Sequence, residues 1–431
     1  MDNINQSSFG NKVPIRVLSL FSGCGGLDLG FEGGFEVLKE SINPKINLDW
    51  AFKNIDNDWV YLPKTRFKTV FANDIKIQAK TAWENYFEKK GLNNIYTVGS
   101  IVEIVKLCKE NKYSFPQEVD IVTGGFPCQD FSVAGKRKGF KSDKSHNGVI
   151  IDKISNPNEE NRGQLYIWMR EVIAITKPKM FIAENVKGLV NLGDVKKTIE
   201  NDFRNIGDKG YLVIPARVLH SAEYGVPQSR ERVIFFGFNK SFLTSAAIDK
   251  LTREMIPPEI DPYPISTHYV SSKHDKLKPA VTVGCALKGL DEPELSNDKS
   301  QQKYSKAKFM GKHCQGQLEI SLDKIGPTIR SEHHGNIEFR RLSIEHGGKY
   351  IGEINEGKKE RRLTVRECAR IQTFPDSYEF VFTDKDKKVS LSASEAYKLI
   401  GNAVPPLLGY HIAKRIEAIW DSLFGKNNDY I

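Results

Sequence analysis

Four side chains in this 431-residue sequence have the types and spacing that could do chemistry. Cys128 follows VDIVTGGFP, residues 119–127, in which an apolar run with strand character ends in Gly124, Gly125, Phe126 and Pro127. The glycines let the backbone turn tightly and Pro127 restricts the approach, so the thiol is offered on a stiff support at a strand end. A cysteine so placed is a candidate nucleophile, and a small apolar residue closing a strand is the alternative that this stretch alone leaves open. Glu184 ends a second apolar run, residues 179–183, and is a candidate acid or a surface or capping group. Arg230 and Arg232 lie two apart, so in an extended segment they share a face. Two guanidiniums there suit an anionic or carbonyl-bearing ligand, although a structural ion pair would use them equally well.

Such residues need a sheet to bring them to one edge. Residues 15–21 (IRVLSLF) read as a buried strand running into Ser22-Gly23-Cys24-Gly25-Gly26-Leu27, and clustered glycines between strand and helix let a ligand approach the backbone. Further strands are expected at 69–72, ending in Asn73-Asp74, and at 96–101, 119–122, 179–183, 212–219 and 232–238. Asp74 is placed to accept hydrogen bonds from ribose hydroxyls. Helical spacing marks 102–109, 165–176 (stopped by Pro178), 362–374 with Thr364 and Glu367 as a capping box, and 407–420. The stretch 37–68 reads as helix and surface insertion. From 239 to 360 the texture turns irregular, with prolines at 257, 258, 262 and 264. The pattern predicts an α/β sheet of Rossmann type with ligands at the carboxyl ends of its strands, plus a second, smaller irregular domain.

Composition narrows the partners. A formal net charge of +9 favours an anionic partner, nucleic acid ahead of a membrane surface. Lys136, Arg137 and Lys138 follow Cys128 closely, on a loop that could clamp a phosphate backbone or be a solvated face. Six scattered cysteines without CxxC pairs argue for reduced thiols and a cytoplasmic location. No apolar run approaches a membrane span. The spacing of Cys285, His313, Cys314, His333 and His334 matches no common zinc site, so no metal is expected. FSGCGG is not the GxGxxG of dinucleotide enzymes, which disfavours a nicotinamide oxidoreductase.

In this order, FSGCGG, PCQ, ENV, QSRER, RLTVRECARIQTFP and GNAVPP resemble the motifs of the cytosine-5 DNA methyltransferases of bacterial restriction-modification type. The resemblance spans residues 14–240 and 361–415. It implies an S-adenosylmethionine-dependent catalytic domain at 14–240 plus 392–431 and a target-recognition domain at 241–391. It implies a pocket for S-adenosylmethionine formed by Phe21, Ser22, Gly23, Gly25, Gly26, Leu27, Asp74, Ile75, Ser100, Ile101, Pro127 and Leu165, closed by Asn402, Ala403 and Val404. Ser100 stands where the family usually has an acidic residue. Cys128 would add to carbon 6 of a flipped cytosine, Glu184 would serve ring nitrogen 3, and Arg232, supported by Arg230, would hold the base carbonyl. Double-stranded DNA is the implied substrate, the enzyme a monomer, and a cognate restriction endonuclease a genetic rather than physical partner. The rivals are the same chemistry on RNA, which a long second domain disfavours, and a non-catalytic DNA-binding protein, which intact Cys128, Glu184 and Arg232 disfavour.

Overall fold

All seven expected strands condense into one sheet in a computed structural model that describes residues 13–50, 53–127, 165–192, 194–331, 337–382 and 391–425. They are β1 (Ile15–Leu20), β2 (Phe67–Asp74), β3 (Tyr96–Val98), β4 (Ile121–Gly125), β5 (Met180–Val186), β6 (Tyr211–His220) and β7 (Glu231–Asn239). Their order across the sheet is β3-β2-β1-β4-β5-β7-β6. The first five are parallel, and β7 runs antiparallel to both β5 and β6. Cys128, the basic loop beyond it and the segment 141–163 lie outside the described residues.

Period-two alternation explains why the strands are apolar along their whole length. In β5, Phe181 and Ala183 join one hydrophobic cluster while Met180 and Ile182 join another. Successive side chains point to opposite faces, so a sheet covered on both sides needs apolar residues at every position. The first cluster is closed by α3 (Ile101–Lys109), α4 (Leu165–Thr176) and α5 (Val195–Arg204). The second is closed by α1 (Gly26–Glu32), α6 (Ser245–Leu251) and the final helix α9 (Pro406–Phe424). Between them in sequence come α2 (Ile77–Phe87), α7 (Val365–Ile371) and α8 (Ala393–Asn402). Thr364 and Glu367 make the expected capping box at the start of α7.

The stretch 37–68 differs from its sequence reading. It contains a small antiparallel sheet of Glu36–Leu38, Trp59–Tyr61 and Lys53–Asn54, with Val37 opposite Val60. Its apolar residues alternate, Val60 and Leu62 buried beside half-buried Trp59 and Tyr61, which is a strand period rather than a helical one.

Hydrophobic packing is continuous where the sequence texture changes. Leu243, Ala247, Leu251, Ile260 and Tyr263 share a cluster with Trp420 and Leu423 of α9. Val283, Ile320, Ile329 and Leu363 share another with Trp83, Phe87 and Tyr410. Residues on both sides of that change therefore contribute to the same clusters. Inside this segment Glu292 bridges the buried Arg341 and Arg361 at 2.7 and 2.8 Å. Burial pushes its carboxyl up, but the two guanidiniums outweigh that and hold it down at about 2. Among the described residues, no helix is long and apolar enough to cross a membrane.

Candidate active site

Strand direction decides which reactive side chains meet. Gly125 at the end of β4 is opposite Glu184 in the parallel strand β5, so both reach the same edge. Because β7 is antiparallel to β5, it begins at the edge where β5 ends, pairing Arg232 with Val186. Arg232 is thereby delivered to Glu184, its Nε 2.7 Å from Oε1, with the two side chains only 12% and 11% exposed. The same guanidinium donates through Nη1 to the Glu231 carbonyl at 2.8 Å. A Cβ on Gly125 would stand 2.8 Å from Glu184 Oε2, so a side chain here would push the carboxylate out of its present position. Asn185 Nδ2 donates to the Phe126 carbonyl at 3.2 Å and ties β5 to the segment that leads through half-buried Pro127 toward Cys128. A carboxyl group and a guanidinium held side by side can offer a planar polar ring both carboxyl oxygens and N–H donors.

Beside them, the turn from β1 to α1 is clamped onto the ends of β2 and β3. Phe21 takes a left-handed backbone, φ 52°. Ser22 N–H donates to the Asn73 carbonyl at 2.8 Å, and Asn73 N–H donates to Ser22 Oγ at 3.1 Å. Gly23 N–H donates to Asp74 Oδ2 at 3.2 Å, Lys76 N–H to Asp74 Oδ1 at 3.0 Å, and the Tyr96 hydroxyl to the Gly23 carbonyl at 2.8 Å. Burial pushes the Asp74 carboxyl up against those N–H groups, which hold it down. A Cβ on Gly23 would find no atom within 4 Å, so space lies open over this glycine next to Asp74. On its other side the turn is tight, since a Cβ on Gly26 would stand 2.3 Å from the Val404 carbonyl oxygen and 3.1 Å from Ala403 Cβ.

Ser22, Gly23 and Asp74 thus meet at this strand edge, with Ile75 43% exposed next in sequence and Ser100 at the start of α3, while Ala403 packs on the Gly26 side of the turn. Gly25 is at φ 75°, backed by Trp83 and Phe87. Leu27 is half-buried with its side chain against Gly409 of α9, and Ile101 and Leu165 are buried among the apolar side chains beneath α3 and α4. Asn402 is exposed at the end of α8 and Val404 is buried. Cys24, within the same glycine-rich turn, is no nucleophile: it is buried, burial pushes its thiol up, and its Sγ faces the Leu399 carbonyl.

A model of the C-5 cytosine-specific DNA methylase family matches residues 15–418. The chain belongs to this family. It is 33% identical to the Type II methyltransferase M.BspRI of Lysinibacillus sphaericus over 93% of the chain and 81% of that protein. It is 30% identical to the Type II methyltransferase M.BsuRI of Bacillus subtilis over 93% of the chain and 79% of that protein. Among solved structures, the S. pombe Dnmt2 methyltransferase aligns with a TM-score of 0.52 at 18% identity over 94% of this chain and 98% of its own. The Entamoeba histolytica methyltransferase EhMeth aligns at 0.53 and 15% identity over 95% and 99%. These last two are likenesses of fold.

Within this C-5 methylase, Arg230 does a different job from its neighbour two residues on. It is fully buried, and its guanidinium donates to the carbonyls of Ile329 and Gly401 at 3.1 and 3.0 Å. Two-residue spacing put both arginines on one face, but a segment from elsewhere in the chain covers Arg230 and takes its donors. Arg230→Met should strand those carbonyls and destabilise the protein by about 3 kcal/mol in urea unfolding. A change below about 0.5 kcal/mol would show that the contacts carry no stability.

Sequence reasoning missed a second buried group under the glycine-rich turn. Asp28 accepts from Ser19 Oγ at 2.5 Å and from Trp83 Nε1 at 2.8 Å, and Ser22 Oγ donates to Ser19 Oγ at 2.8 Å. The available signal is a lone charge inside the apolar GLDLGF, residues 26–31. Burial pushes the Asp28 carboxyl up to about 6, against the two hydrogen bonds that hold it down. A folded value above the unfolded one favours the protonated form, so this contribution to stability is complete below about pH 4 and is lost as pH rises through about 6. Asp28→Asn removes that slope. Between pH 4 and 7 the variant should gain about 3 kcal/mol relative to the parent in denaturant melts, and parallel pH profiles would contradict the assignment.

Proposed function

We propose that this methylase recognises a short duplex DNA sequence, rotates a target cytosine out of the stack, and methylates its carbon 5 through a transient covalent bond to Cys128. The observation that carries the reading is the Glu184–Arg232 pair set against Gly125, three residues before Cys128. A cytosine inside a duplex could not reach this edge, so flipping is required.

S-adenosylmethionine, when bound, supplies an electrophilic methyl group on sulfonium. The residues present fit such a group: open space over Gly23, the Asp74 carboxylate as an acceptor for ribose hydroxyls, and exposed Ile75 as an apolar contact. Carbon 5 of cytosine is too weak a nucleophile to attack unaided. Cys128, as thiolate, would form a bond to carbon 6, and the displaced electron pair makes carbon 5 nucleophilic. Glu184 would donate a proton or hydrogen bond at ring nitrogen 3, where negative charge would otherwise collect. Arg232 would hold the Glu184 carboxyl in place and present N–H donors to the base carbonyl. Once carbon 5 is methylated, loss of its proton restores the ring double bond as Cys128 departs. The segment 241–391 is read as the part that meets neighbouring bases in the major groove. The relatives named Type II methyltransferases support a role in protecting host DNA from a cognate endonuclease.

Incubation with duplex DNA and tRNA side by side, using labelled S-adenosylmethionine, tests the substrate. Labelled 5-methylcytosine is expected in the DNA arm, and bisulfite sequencing of DNA from expressing cells locates the site. Label confined to tRNA would overturn the reading.

A further inference from the structure

Three segments that the sequence keeps far apart are joined by a chain of buried amides. Gln228 and Gln372 are both fully buried. Gln228 Oε1 accepts from the Ile329 N–H at 2.9 Å, while its Nε2 donates to Gln372 Oε1 at 2.5 Å and to the Ile371 carbonyl at 3.4 Å. Gln372 Nε2 then donates to the Ala403 carbonyl at 2.6 Å.

Each end of this chain is placed at something functional. The strip 326–331 runs beside the start of β7 as a short parallel bridge, Gln228 opposite Gly326, with Ser229 N–H donating to the Gly326 carbonyl at 2.7 Å. Arg230, anchored on Ile329, is two residues from Arg232 of the Glu184 pair. The strip is thereby tied to the segment that leads into Arg232. At the far end, Ala403 packs on Gly26 of the glycine-rich turn. Arg230 makes a second, parallel link, since it bonds the carbonyls of both Ile329 and Gly401.

We propose that Gln228 and Gln372 are positioning residues that couple the turn at Ala403 to the strip 326–331, so that filling the methyl-donor pocket tightens binding of target DNA, and the reverse. The inference rests on the function proposed above. An amide carries an acceptor and a donor on one rigid plane, so displacing the Ala403 carbonyl reorients Gln372, then Gln228, then the Ile329 backbone. In a buried site no water is at hand to take over a released partner, which is why the chain moves as a unit. Coupling of this kind is reciprocal by linkage.

The experiment measures the dissociation constant of a short duplex carrying the mapped site, with and without saturating S-adenosylhomocysteine, for the parent, Gln372→Met and Gln228→Met. Gln372→Asn, whose shorter amide cannot reach both Gln228 and the Ala403 carbonyl, is the second variant should methionine prevent folding. The parent is expected to bind DNA about tenfold tighter with the nucleoside present, and the variants less than about twofold. A merely structural role would weaken both binding events and leave their ratio unchanged. A ratio that stays at the parental value in folded variants, or a parent without coupling, overturns the proposal. Because the readout is binding, a parent that methylates DNA but shows no loss of coupling in the variants sinks the relay alone.

Discussion

Cys128→Ser should abolish methylation while leaving duplex binding intact. A hydroxyl is far less ionised than a thiol at neutral pH and is a poorer nucleophile toward an unsaturated carbon, so addition to carbon 6 fails at its first step. Loss of the nucleophile is expected to lower the single-turnover rate by at least about 10⁴-fold. Duplex affinity, measured by gel shift on the same preparation, should stay within about threefold of the parent, since phosphate contacts dominate it. The parent protein should also form a denaturant-resistant adduct with duplex containing 5-fluorocytosine, because fluorine at carbon 5 cannot leave as a proton does, and the serine variant should not. A serine variant that still turned over would remove covalent catalysis from the account.

Glu184→Gln should slow the chemical step by about 10²- to 10⁴-fold, the range expected when a positioned proton donor is removed. The amide oxygen can still accept from Arg232 Nε, now 2.7 Å from Glu184 Oε1, so the edge keeps its shape while the proton is lost. Cofactor affinity should change little. The strand carrying Glu184 is separated from that carrying Asp74 by β4 and β1, three strand spacings or about 14 Å. Equilibrium dialysis with S-adenosylhomocysteine and single-turnover methylation on the same variant separate the two effects. An unchanged single-turnover rate would contradict the role given to Glu184. A parallel fall in cofactor affinity would mean that the substitution has disturbed the whole edge.

Much of this architecture was legible in the chain. The strands appear as apolar runs because both faces of the sheet are covered, and Asp74 and Gly125, which end two of them, and Glu184, two residues before the end of a third, stand toward the carboxyl edge in the structure. The capping box at Thr364 and Glu367 was readable because both partners lie within one turn of helix. Local patterns fail where the partner is distant. Residues 37–68 form strands because Val37 meets Val60, a pairing that no helical window can detect. Ile101 and Leu165 sit at helix starts, and only the packing shows that their side chains are buried.

The sequence by itself determined the sheet, the order of the motifs and, through their resemblance, the chemistry that Cys128 and Glu184 are read to perform. Only the tertiary structure separated Arg230 from Arg232. Both sit two apart on an extended segment, but one is capped by carbonyls contributed from residues 329 and 401 and the other reaches Glu184 across an antiparallel strand. The same holds for Asp28, Gln228 and Gln372, whose partners lie up to 144 residues away. Hydrogen-bond partners of buried polar groups are chosen by the fold, because a desolvated donor or acceptor must pair with whatever the packing brings beside it.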